Sequence, residues 1–331
     1  MKILVTNPTG KIGRKILPEL LAPEFTVRAI ARDPARLPQA IREQVEVVRG
    51  STDDAETLQS ALDGVEALFW CVPTESMREM NVRAYYERFA QAAVQAIREA
   101  GTPRVVTISA VGKGLARNAG PISGLHAMED ILNESGAAIR HVRCGWFMEN
   151  LLGQAQAIAE EGIVSYPLPA HIGLPMAAVT DVADVALRLL VRQDWADIKA
   201  VPVHGPEDVA WAKAVATLAE VLERPVRYRE ISSDDYIRKL VRSGATLHFA
   251  ERQAAMFSSL AQGIARAEPR TAESSTPTTL AAWAQSELQP LFESLRRRSE
   301  RPAPGLKSPD AVLGSKGYQE AGKSIGHNAW S

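Results

Sequence analysis

Nine residues near the start of the chain carry its densest chemical signal: Val5-Thr6-Asn7-Pro8-Thr9-Gly10-Lys11-Ile12-Gly13. An apolar run ends there in a turn cluster, and Ile12, Ile16 and Leu20 then recur at helical spacing. A strand that turns tightly into a helix presents unpaired backbone N–H groups, which suit a diphosphate. Gly10 allows that diphosphate close approach, and Gly13 lets the helix pack on the strand. Thr6, Asn7, Thr9, Lys11 and Ile12 complete the candidate cradle. Asn7 stands where such loops carry their first glycine, and Asn is the non-glycine residue most tolerant of a left-handed backbone. An ordinary strand–helix turn is the plainer alternative. The loop's place in an N-terminal β–α–β unit favours a dinucleotide.

Which dinucleotide turns on the residue about 20 positions later, where a cofactor with a free ribose 2′-hydroxyl meets an acid. Arg32 stands there, and Arg36 follows about one helical turn on. Two guanidinium groups suit a 2′-phosphate, so NADP is expected rather than NAD, with a solvated edge as the alternative for both arginines. Asp33 reads as the opening of an Asp-Pro turn. Side chains for the chemical step are fewer. Ser109 ends a strand and could donate to a substrate oxygen, or simply cap the next turn. His126 is the titratable group suited to proton donation near pH 7, on a helix whose Leu125, Met128, Ile131 and Leu132 face the core. Cys71, Val72 and Pro73 are expected beside the cofactor, and Thr74, Gly145, Trp146 and Phe147 beside the substrate. The aromatic pair reads as an apolar wall for a flat molecule, or as helix-start core. Six scattered histidines show no metal-ligand spacing, and there is neither a C-x-x-C nor a G-x-S-x-G elbow.

These groups need elements to position them. Apolar runs at residues 3–6, 26–31, 45–48, 67–72, 105–109 and 139–143 alternate with helical stretches, including 81–100 and 125–134. That order predicts an α/β fold, a doubly wound parallel sheet with helices on both faces. Residues 1–150 form the expected dinucleotide-binding domain. Residues 151–295 are looser: helices over 180–191 and 210–222, a strand at 201–203, then mostly helix, broken near 268–279. They are expected to add late sheet elements and a small, mostly helical lobe over the sheet's carboxyl edge. Residues 296–331, rich in Gly, Pro, Ser and Lys, are expected to be a flexible tail, since they cannot bury enough surface to offset the entropy of ordering.

The 331 residues are 46% hydrophobic and 23% charged, with 38 Lys+Arg against 39 Asp+Glu and a net charge of −1. Such a balance argues against nucleic acid or anionic membrane held by bulk charge. No apolar run approaches the roughly 20 residues of a membrane span, and no signal-peptide pattern opens the chain. Two cysteines suggest reducing cytoplasm. A small molecule is the expected partner, and a homo-oligomer stays open.

Taken in order, these residues resemble the NmrA-like atypical short-chain dehydrogenase/reductases over roughly residues 1–295. The resemblance rests on the loop from Val5 to Gly13, Arg32-Asp33-Pro34, Gly50 before Asp53-Asp54, and Leu62-Asp63-Gly64-Val65-Glu66-Ala67. It continues through Glu129, Ser135-Gly136, Val142-Arg143-Cys144-Gly145-Trp146-Phe147-Met148-Glu149-Asn150, the stretch starting Thr180-Asp181-Val182, and His204-Gly205-Pro206. It implies a Rossmann-type domain binding NADP, a small lobe closing the substrate cleft, and hydride transfer to quinones, dyes or enones. The family also includes redox sensors without turnover, and the fold hosts isomerases and biosynthetic reductases. Three departures stand out. Asn7 replaces a glycine, Ser51 stands where the family often has Asp, and Pro121 and Leu125 occupy the positions of the active Tyr and Lys.

Overall fold

The computed structural model describes residues 1–101 and 103–299. In chain order its first half runs β1 (Lys2–Val5), α1 (Gly13–Glu19), β2 (Thr26–Ala31), α2 (Gln39–Arg42), β3 (Glu46–Arg49), α3 (Ala55–Leu62), β4 (Ala67–Trp70), α4 (Val82–Ala100), β5 (Arg104–Ala110), α5 (Pro121–Leu132) and β6 (Ile139–Cys144). The second half runs α6 (Ala155–Glu161), β7 (Ile163–Tyr166), β8 (Gly173–Pro175), α7 (Val179–Val191), β9 (Ile198–Val203), β10 (Asp208–Ala210) and α8 (Trp211–Val221). It ends with β11 (Arg227–Glu230), α9 (Ser233–Arg242), α10 (Leu247–Ala261), α11 (Leu280–Trp283) and α12 (Gln289–Ser299).

Seven parallel strands among the described residues form one sheet in the order β3-β2-β1-β4-β5-β6-β9. Strands buried on both faces must be apolar, which is why β4, and β1 after Lys2, read as unbroken hydrophobic runs. Ile3 and Val5 pack under α1 and α7, while Leu4 points to the opposite face beneath α3, α4 and α5. Local caps set the helix limits. Asn81 accepts from the Ala84 N–H at the start of α4, and left-handed Gly101 ends it. Strand order reverses between β1 and β4, so a crevice opens above their carboxyl ends.

The later segments build a second core around Trp146, Tyr166, Trp211 and Phe257. Its pieces are discontinuous, because β9 leaves the lobe to join the main sheet beside β6. Two small sheets, β10-β8 and β11-β7, support it. Helix α12 runs through Ser299, into the first residues of the expected tail, and its last turn carries Arg296 and Arg297, where cations favour the helix dipole. The rest of the expected tail, residues 300–331, lies outside the described residues.

One ionic cluster joins these parts. Arg143 in β6 donates to both oxygens of Glu129 in α5, at 3.0 and 2.7 Å, and to Glu268 of the lobe at 2.8 Å. The second Glu268 oxygen accepts from the Gly112 amide, just past β5, at 2.7 Å. Burial alone would raise the Glu129 carboxyl. The Arg143 hydrogen bonds, the charge of His141 and the neighbouring Ser109 outweigh it and hold the group below its ordinary range. Glu129 therefore adds stability above the unfolded carboxylate pKa and loses it as pH falls through the lower folded value. Arg143→Met should destabilise the protein by roughly 3–5 kcal/mol at pH 7, because it strands a buried carboxylate. The difference from wild type should shrink in urea melts at about pH 4.5, where Glu129 in the variant is protonated. A pH-independent difference would contradict this account.

Candidate active site

Thr6 directly follows β1 with its side chain fully buried. Its hydroxyl donates to the Phe69 carbonyl at 3.0 Å and accepts from the Cys71 amide at 2.8 Å, which fastens the ends of β1 and β4 side by side. The next residue, Asn7, adopts φ 49°, the left-handed turn that its replacement of glycine requires. The chain then folds back, and the Gly10 amide donates to the Asn7 carbonyl at 3.0 Å. This return leaves no room for side chains. A Cβ on Gly10 would lie 2.5 Å from Asn7 Nδ2, and one on Gly13 would strike the Asn7 carbonyl oxygen and lie 2.9 Å from Pro8 Cα.

The amides of Lys11, Ile12 and Gly13 have no partner among the described residues. They lie at the α1 terminus beside the crevice, with half-buried Thr9 and Lys11 flanking them and Ile12 in the core. Free amides, no intruding side chain and a favourable helix end fit a diphosphate. Burial lowers the Lys11 pKa, the nearby Glu149 charge opposes that, and Arg14 adds to it. At the end of β2, Arg32 and Arg36 are exposed and make no ion pair or side-chain hydrogen bond among the described residues. Asp33 is occupied: its carboxylate accepts from the Ala35 amide at 3.1 Å and caps the short turn Pro34–Arg36. The acid that would mark NAD is thus spent on the turn.

Cys71 is buried at the end of β4, its thiol pushed up to about 11 by burial. Val72 and Pro73 follow half-buried, then exposed Thr74. Neither expected catalytic side chain reaches the crevice surface. Ser109 is 2% exposed and its Oγ faces Glu129 without a well-aligned hydrogen bond. His126 is buried too, its Nε2 donating to the Ala110 carbonyl at 2.9 Å, and burial lowers its pKa, which leaves it neutral near pH 7. Trp146 is in the lobe core, edge-on to Tyr166 and Trp211, so its ring forms no exposed wall. Phe147 is half-buried, and Gly145 is packed so closely that a Cβ would strike the Pro175 carbonyl.

The sequence reading assigned no role to Glu149, although a carboxylate directly after an apolar stretch was a usable signal. Its Oε1 accepts from the Val179 amide at 2.9 Å and from Trp283 Nε1 at 3.1 Å, while Oε2 has no partner among the described residues. Burial raises its pKa. It borders a cavity of about 350 Å³ shared with Lys11, Arg14 and Lys15, beside the loop. Glu75 was missed as well: it accepts from the Tyr86 hydroxyl at 2.6 Å and from Gln253 at 3.2 Å, joining α4 to α10. No group of three His, Cys, Asp or Glu among the described residues could hold a metal ion.

A seven-stranded Rossmann sheet with this loop at its switch point defines a nicotinamide-dinucleotide-binding class of protein. The chain belongs to the NAD(P)H-binding family, whose family model matches residues 8–193. It is 30% identical over 233 residues to the NAD(P)H azoreductase of Xenophilus azovorans, covering 70% of this chain and 77% of that protein. To quinone oxidoreductase 2 of Escherichia coli it is 28% identical over 247 residues, covering 72% and 80%. Among solved structures, the Citrobacter sp. triphenylmethane reductase complexed with NADP(H) shares the fold at TM-score 0.71 and 19% identity, covering 88% of this chain and all of that one.

The loop geometry makes opposite demands on two neighbouring positions. Asn7→Gly should fold normally and keep cofactor affinity, since glycine adopts the left-handed turn freely. Gly13→Ala should cost about 1–3 kcal/mol of stability and abolish NADPH binding, because only backbone can move aside. Thermal melts with NADPH titration check both, and an undisturbed Gly13→Ala would refute the packing argument.

Proposed function

We propose that the protein is an NADPH-dependent oxidoreductase that reduces a small, flat or conjugated acceptor of the quinone, dye or enone type. The observation that carries the cofactor choice is the unengaged pair Arg32 and Arg36 at the end of β2, with Asp33 turned into its own cap. The named activities of the azoreductase and quinone oxidoreductase relatives support the acceptor class. When bound, the nicotinamide supplies the hydride.

The chain's own residues do the holding. Free amides from Lys11 to Gly13 take the diphosphate, Thr6 keeps the crevice at fixed width, and the two arginines take the 2′-phosphate. Cys71, Val72 and Pro73 border the nicotinamide half of the cleft, and Thr74, Gly145 and Phe147 border the acceptor. Ser109 and His126 act behind this surface, holding the end of β5, and Trp146 supports the wall from the lobe core. Pro121 and Leu125 put no acid where the wider superfamily has Tyr and Lys, so the reading assigns the proton to water. Conjugated acceptors tolerate this because they spread the charge that hydride delivers. Two free, buried thiols suit a cytoplasmic setting, and no helix among the described residues is long and apolar enough to cross a membrane.

The missing acid also favours a second reading, a redox sensor that binds NADP(H) without turnover. Incubation with NADPH and a panel of quinones, azo dyes and enones separates the two: oxidation at the nicotinamide absorbance band is expected, and tight binding without oxidation on any acceptor would leave the sensor. Arg32→Ala should weaken NADPH roughly 10- to 100-fold, the loss of charge-assisted hydrogen bonds, and NADH hardly at all. Equal losses would show that Arg32 does not read the phosphate.

A further inference from the structure

A cavity of about 250 Å³ lies apart from the phosphate loop, where the lobe meets the carboxyl ends of β6 and β9. Its walls are tied to neighbouring strand ends. Glu268 bonds the Gly112 amide past β5 and Arg143 in β6, and Pro175 touches the backbone of Gly145. His204, the residue directly after β9, also lines it. Ligands of open α/β sheets bind along this edge.

His204 is the unexplained group. Its backbone is held at both ends, the amide donating to Ser274 O at 2.8 Å and the carbonyl accepting from Thr276 N and Oγ1 at 2.8 Å. The side chain is 1% exposed, yet both ring nitrogens lack a hydrogen-bond partner among the described residues. Burial first, then Arg270, lowers its pKa, so near pH 7 it is neutral and offers one donor and one acceptor. A folded chain seldom leaves such a group unmatched, because its lost water bonds are not replaced.

The other lining groups narrow the ligand. Ile172, Pro175 and Leu260 make an apolar face. Both carboxylates of the wall are already engaged: Asp208 with Arg270, and Glu268 with the Gly112 amide and with Arg143, which it shares with Glu129. Arg266 at the rim is exposed and makes no ion pair among the described residues, so its charge is open to an anion. The volume equals roughly eight waters at about 30 Å³ each, room for one or two rings and too little for a dinucleotide.

We infer that this cavity binds a one- or two-ring conjugated carbonyl compound carrying an anionic substituent, its carbonyl oxygen hydrogen-bonded by His204 and its anion facing Arg266. Calling that compound the acceptor rests on the reductase reading; the binding itself does not.

The test is calorimetric titration of the full chain, saturated with NADP⁺, with 1,4-naphthoquinone-2-sulfonate and with unsubstituted 1,4-naphthoquinone. The wild type should prefer the sulfonate about three- to fivefold, the worth of one exposed ion pair, and Arg266→Glu should remove or reverse that preference. Ala265→Trp, which fills the cavity from its rim, should abolish binding of both. His204→Phe should weaken both about fivefold through the lost hydrogen bond. NADP⁺ affinity should be unchanged in the two rim variants, which keeps the test valid if the buried His204 variant misfolds. Failure of either quinone to bind, or wild-type affinity in both rim variants, would overturn the inference. NADPH oxidation followed in the same variants separates the two readings. Quinone reduction at wild-type KM in Ala265→Trp removes the cavity and leaves the reductase. Binding lost in Ala265→Trp, with no turnover in the wild type, removes the reductase and leaves the ligand site.

Discussion

Arg143 is a half-buried cation held by two carboxylates, Glu129 on α5 and Glu268 in the lobe. Removing Arg143 takes the shared partner from both carboxylates at once, so its position fixes theirs. Through the Gly112 amide the same cluster reaches the loop after β5. The carboxyl ends of β5 and β6 and the strap at Glu268 therefore behave as one unit. Hydrophobic packing could supply comparable stability, but it would tolerate sliding. Charged groups with fixed hydrogen-bond directions specify where the lobe sits over the sheet.

At the other side of the crevice the constraint is backbone conformation. The left-handed Asn7 and the glycines it demands leave amide donors bare where the sheet changes direction. Nothing here depends on an unusual side chain; the cradle is made by what is missing. The arginine pair after β2 is the counterion we propose for a doubly charged group, a feature that side chains must supply. Positioning of this kind suits chemistry in which the reactive atom belongs to a bound cofactor.

The groups behind the crevice form a continuous polar layer. Lys113 donates to Asp130 and to the His126 carbonyl, His126 donates to Ala110, and Ser109 and Arg143 converge on Glu129. Ser109 and His126 belong to this layer. Both side chains are buried.

Local pattern made the first 150 residues legible. The bounds of β2 match its apolar run, and α4 starts at its Asn cap and stops at Gly101, because these signals act over a few residues. The Gly10–Gly13 spacing and Arg32 were readable for the same reason, since they serve a turn and a strand end. Strands β7, β8 and β10 were not readable: each has three or four residues and exists through pairing with a distant segment. Nor could spacing join Arg143 to Glu268, 125 residues away, or show that Trp146 faces inward while the His204 ring nitrogens find no partner among the described residues. The sequence by itself determined the elements of the first 150 residues, the tight turn after β1 and the family, since each is written in short-range order. Tertiary structure alone decided which polar side chains face the cleft and which are spent inside, because that depends on what distant chain packs against them.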